Sequence, residues 1–129
     1  MEKLINQSGS ATTTVSGRNT AEAVGSGSLP VFSTPMMIAL MEQAACAALI
    51  GHLDDGMTTV GTKIDVEHLA ATVAGEITAT ATVTAVDGRR IDFELTASDT
   101  KGEIGRGVHT RFCVNVEKFM AKANERGGQ

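Results

Sequence analysis

The chain has 129 residues, 42% of them hydrophobic and 20% charged, with a formal net charge of −4, which is enough for one domain, residues 1–129, with a real core and too little for two. No Lys or Arg cluster is dense enough to neutralise a run of phosphates, which argues against a nucleic-acid binder. No basic head precedes an apolar stretch at the start and no apolar run could span a bilayer, so no export or membrane partner is expected and the chain reads as cytoplasmic.

Residues 1–10 are expected to fray. The segment 11–17, ATTTVSG, is short and β-prone, and 25–30, GSGSLP, is a flexible approach to a helix. That helix is predicted from Pro35 to about Ile50: Pro35 takes the first helical position, Thr34 is the cap, and Gly51 follows the end. It is apolar around most of its circumference, yet Glu42 sits in its middle. Cys46, on this helix, and Cys113 fit neither metal-ligand nor CxxC spacing and are expected to be buried free thiols.

Strands follow. In 57–68, Val60, Thr62, Ile64, Val66 and His68 share one face and Gly61, Lys63, Asp65 and Glu67 the other. The segment 75–86 alternates Ile77, Ala79, Ala81, Val83 and Ala85 against threonines, and 89–98 alternates Ile91, Phe93, Leu95 and Ala97 against polar residues. A two-residue Asp87-Gly88 loop between them would set Val83 opposite Asp92. A three-residue loop of Val86, Asp87 and Gly88 pairs Val83 with Ile91 and is the expectation. The last strand, 103–116, sets Ile104, Val108, Phe112, Val114 and Val116 against Gly105, Gly107, His109, Arg111 and Asn115. The tail is read as one helical turn that frays over 121–129.

One helix with antiparallel strands gives an α+β fold. Because the helix is oily nearly all round, one flat sheet cannot cover it, which points to a curved sheet wrapped around it and a second subunit over the remainder: the hotdog architecture, as a homodimer.

The histidines separate by face. His52 follows the glycine that ends the helix and is read as solvated. His109 lies opposite Val108 and Phe112 and is read as surface or interface. His68 alone ends a strand on the face turned to the helix, placing an imidazole and the Glu42 carboxylate on elements that pack together. Such a pair is either a buried polar contact or a functional site. As a helix cap Thr34 needs no further explanation; it stands eight residues from Glu42, about 12 Å along the axis, so both can border one ligand without touching.

The blocks STPMMIALMEQAA, GTKIDVEHLAAT, VTAVDGRRIDFELTASD and IGRGVHTRF resemble, in order over residues 12–119, those of the fluoroacetyl-CoA thioesterase group of hotdog-fold acyl-CoA thioesterases. The resemblance implies hydrolysis of an acyl-CoA thioester with Thr34, Glu42 and His68 as the catalytic set. It also implies that Gly61 lies near the thioester carbonyl and that Arg111 is an arginine of the site. Coenzyme A enters as part of the substrate, and no separate cofactor or metal is implied. Val73 stands where the family often has proline, which alters the loop and not the set. Thr34, Glu42 or water can each serve as nucleophile, with His68 moving the proton and the Gly61 N–H or the helix start holding the oxyanion. Phe32 and Met36, with Val31, Met37 and Met41, are expected to crowd a small or medium acyl pocket. Lys63, Arg89, Arg90 and Arg106 are candidates for the coenzyme A phosphates. The alternative is a hotdog module that binds an acyl-CoA or small apolar ligand without turnover.

Overall fold

The computed structural model describes residues 2–127. A 3-10 turn at Glu2–Leu4 leads into strand β1 (Ser8–Thr14), a short helix α1 (Ala21–Val24) and the long helix α2 (Thr34–Ala48). Strands β2 (Met57–His68), β3 (Glu76–Asp87), β4 (Arg90–Asp99) and β5 (Gly102–Asn115) follow, and helix α3 (Val116–Arg126) closes the chain. The strands form one antiparallel sheet in the order β1-β3-β4-β5-β2. β2 is therefore an edge, with one side of its backbone open.

Helix α2 lies on the sheet with Met37, Leu40, Met41, Ala44, Ala45 and Ala48 buried. They pack against Ile77, Ala79, Ala81, Val83, Ile91, Phe93, Leu95 and Ala97. Small residues on both sides let the backbones approach closely. β1 shows the limit of this: a Cβ added at Gly9 would run into the backbone of Ala44, Ala47 and Ala48.

Three strands carry an extra residue, and each changes which side chains face the helix. Between β3 and β4 the turn is the two-residue Gly88-Arg89, closed by Asp87 opposite Arg90. The expected three-residue loop does not form. Thr84 is bulged instead, so Val86 meets Ile91 while Val83 meets Phe93, and Gly88 takes the left-handed conformation at φ 60° that this turn demands. Between β4 and β5, Ile104 is the extra residue between Glu103 and Gly105. It is buried, and the alternation inverts after it. His109 and Arg111 are therefore inside at 2% and 7% exposure, while Val108 and Phe112 face out at 53% and 38%. The expectation of a surface His109 is thus overturned. On β2, Thr62 is bulged against β5, which brings Gly61 to the same side as His68 and turns Val60 away from the helix.

The ends are more ordered than expected. Leu4 is buried and 8–10 belong to β1, so this part of the start does not fray. Residues 121–126 complete a three-turn helix α3, capped by the Asn115 side chain accepting from the Lys118 N–H. The frayed ends expected at Met1 and at 128–129 lie outside the described residues. Cys113 is buried but Cys46 is exposed, contrary to expectation, and both thiols are free. Among the described residues no helix is long and apolar enough to cross a membrane.

Candidate active site

The start of α2 differs from the expected cap. Ser33, in extended conformation, is the cap, and its hydroxyl accepts from the Met36 N–H. Thr34 is the first helical residue, with Pro35 next, so its hydroxyl is released from capping. It lies 2.8 Å from His68 Nδ1 at the end of β2. Burial lowers the His68 pKa from its ordinary 6.5, with a backbone contact to Ala70 opposing part of the shift. That contact falls short of a hydrogen bond, and Nε2 is buried with no partner. The imidazole is thus biased towards its neutral, proton-accepting form. The loop after β2 is pinned by Leu69 and Ala70 N–H bonds to the Ile104 carbonyl and by the Phe32 N–H bond to the Thr72 carbonyl. A cavity of about 270 Å³ opens beside the pair, lined among others by Val31, Phe32, Thr34, His68 and Leu69.

Glu42 does not face His68. Its Oε2 receives a hydrogen bond from Arg111 Nη1 at 3.2 Å and lies 3.8 Å from His109 Nε2. Arg111 is held on its other edge: Nε donates to Thr59 Oγ1 at 2.9 Å and Nη2 to the Thr59 carbonyl at 3.0 Å. Gly61 forms the floor, since a Cβ there would stand 2.5 Å from Glu42 Oε2 and 3.2 Å from Arg111 Nη1. One chain therefore carries two groups on the same helix: Thr34 with His68 at its start, and Glu42 with Arg111, His109 and Gly61 two turns on.

Of the other candidates, Phe32 is buried beside the cavity and Met36 is exposed, whereas Met37 and Met41 are fully buried core residues and not pocket wall. Arg90 pairs weakly with Asp87 and Asp92, and Arg106 with Glu103, all at the surface. His52 is exposed, as expected. His109 is the residue that sequence reasoning missed. Its signal lay in the spacing to Arg111, which keeps the two on one face, and in the small Gly105 before them, which leaves room for Met37 of the helix on that face.

A curved antiparallel sheet packed on one long helix is the fold of the hotdog thioesterases, and the protein is by class a thioester hydrolase. It belongs to the family described as fluoroacetyl-CoA-specific thioesterase, which matches residues 15–117. The fluoroacetyl-CoA thioesterase of Streptantibioticus cattleyicolor is 41% identical over 97 residues, 74% of this chain and 70% of that protein. A solved structure of the fluoroacetyl-CoA thioesterase FlK superposes with a TM-score of 0.87 at 34% identity, covering 94% of this chain and 95% of the other. A variant of that enzyme in complex with acetyl-CoA gives 0.88 at 32% identity, covering 95% and 97%. A thioesterase superfamily member from Thermus thermophilus, 22% identical, gives a TM-score of 0.87 over 96% of this chain and 93% of that one and shares the fold.

Proposed function

We propose that this protein hydrolyses an acyl-CoA thioester to the free acid and coenzyme A in the cytoplasm, as a homodimer whose two sites each draw on both chains. The observation that carries this reading is the 2.8 Å contact between the Thr34 hydroxyl and His68 Nδ1. A nucleophile and a base within hydrogen-bond reach, beside a cavity at a helix start, are the parts acyl transfer needs. Thr34 attacks the thioester carbonyl as His68 takes its proton, and the helix N-terminus stabilises the developing oxyanion. His68 then returns the proton to the departing thiolate. Water resolves the threonine ester and regenerates the hydroxyl, with the Glu42 carboxylate accepting the water proton and passing it on to the threonine oxygen.

Glu42 reaches that position from a second chain. Thr34 and Glu42 are about 12 Å apart along one helix, but two α2 helices packed antiparallel about a two-fold axis midway between them set Thr34 of each chain beside Glu42 of the other. The open edge of β2 and the exposed Met36 on α2 and Ile50 just after it supply a surface for such a contact. The Gly61 and Arg111 side of the cluster then borders the acyl group, with Phe32 at the cavity wall.

Thiol release from acetyl-, branched, aromatic and fluoroacetyl-CoA tests the activity directly. Release at background for all of them, with a ligand still raising the melting temperature, would establish a binding module instead.

A further inference from the structure

His109 has no part in the chemistry above, yet it is a fully enclosed titratable side chain against the Glu42 group. Its two nitrogens face partners of opposite kind. Nδ1 lies 2.7 Å from the Lys63 carbonyl, which can only accept, so Nδ1 carries the proton. Nε2 is then a lone pair, and it lies 3.2 Å from Arg111 Nη1, which can only donate. We propose that His109 is a positioning residue: as a neutral acceptor it holds the Arg111 guanidinium where it grips the Glu42 carboxylate. Arg111 is thereby fixed by three elements, through Thr59 on β2, His109 on β5 and Glu42 on α2, so a rotation that frees Glu42 must also break a bond inside the protein.

The groups packed on this imidazole are Glu42 from α2, Arg111 from β5, the Lys63 carbonyl from β2 and the Phe93 ring from β4, 5.8 Å between centroids. Burial lowers the His109 pKa below 6.5 and Arg111 lowers it further, against opposing contributions from the Lys63 carbonyl and Glu42. Protonation turns Nε2 into a donor pointed at another donor, so His109 no longer holds Arg111. The Glu42 carboxylate, 3.8 Å from Nε2, is then drawn between the two cations and away from the position that Arg111 alone sets.

The inference rests on the role of Glu42 proposed above, and two measurements separate them. Long-range 15N–1H spectra of the wild-type imidazoles at pH 8 are expected to show His109 with the proton on Nδ1; an Nε2–H tautomer overturns the proposal whatever the activity. In the thiol-release assay, with the fastest acyl-CoA of the panel, H109F is expected to lower kcat about 10- to 100-fold with a smaller change in KM, the scale of a misplaced catalytic group. H109Q, which offers an acceptor that does not titrate, should recover most of the loss. Below pH 6.5 the wild-type rate should fall with a slope approaching two protons, His68 and His109, and that of H109Q with one. H109F with wild-type kcat, or the same acid slope in H109Q as in the wild type, overturns the proposal. E42Q with undiminished kcat removes instead the reading of Glu42 and leaves the tautomer result standing.

Discussion

Mixing two inactive variants should restore activity. Thr34→Ala removes the hydroxyl that His68 contacts, and Glu42→Ala removes the carboxylate two helical turns away; each homodimer lacks that group in both sites. With the two-fold axis midway along the 34–42 segment, each residue lies about 6 Å from the axis and about 12 Å from the other in its own chain. In a mixed dimer one site then carries both substitutions and the other neither. Equal amounts, unfolded together and refolded, pair at random, so half the dimers are mixed and half of their sites are intact. Thiol release should return to about one quarter of the wild-type rate per chain. Mixed dimers confirmed by native mass spectrometry with no recovery of rate would place Thr34 and Glu42 of one chain in one site, and a monomer in solution would refute the composite site outright.

Gly61→Ala should leave folding nearly intact and lower kcat by an order of magnitude or more, because the new methyl would stand 2.5 Å from Glu42 Oε2 and push the carboxylate aside; equal kcat would remove Gly61 from the site. Gly9→Val should destabilise by about 3 kcal/mol or more, read from urea unfolding, since the clash is with helix backbone that cannot rotate away. The melting temperature should fall on acidification below pH 6.5. Burial lowers the pKa of both His68 and His109, so the folded state takes up these protons less readily than the unfolded chain. The stabilisation is complete above the unfolded value and lost as pH falls through the folded ones. A melting temperature that rises between pH 6.5 and 5 contradicts this assignment, and H109Q should flatten part of the slope.

The core helix and strands β2 to β5 were legible in the sequence because apolar spacing marks them whatever their neighbours do, whereas β1, SGSATTT, carries no such spacing and was legible only as a β-prone stretch displaced to 11–17. The start of α2 was misread by one residue: Ser33 and Thr34 are both good caps, and only the backbone geometry assigns the role to Ser33. Which face a bulged strand presents was legible on only one side of its bulge. Ile104, Thr62 and Thr84 look like ordinary strand residues, and their displacement is decided by the partner strands. Hence Ile77 to Val83 and Ile91 to Ala97 were placed correctly, while His109 and Arg111 were turned outward. The expected meeting of Glu42 with His68 failed for a different reason. Both do lie towards the helix side, but Glu42 is two turns from the helix start that His68 touches. Helix α3 was underestimated although Asn115 marks its beginning and Val116, Phe119, Met120 and Ala123 recur at helical spacing.

The bulge at Thr62 makes the position of a deletion on β2 matter more than its size. Replacing Thr62, an exposed residue whose hydroxyl bonds the Thr110 carbonyl, changes one surface group. Removing it closes the bulge: Gly61 and Lys63, opposite Arg111 and Thr110, follow one another in a regular ladder, and Gly61 and His68 stay on one face. Removing a residue between Lys63 and His68 with the bulge kept slides one side by one residue, so that either His68 or the Thr59 and Gly61 wall of the Arg111 group would point to solvent. The two halves of the site are thus set in phase by a residue that touches neither of them. A library of single-residue deletions along 57–68 would map that phase directly, with activity and stability failing at different positions.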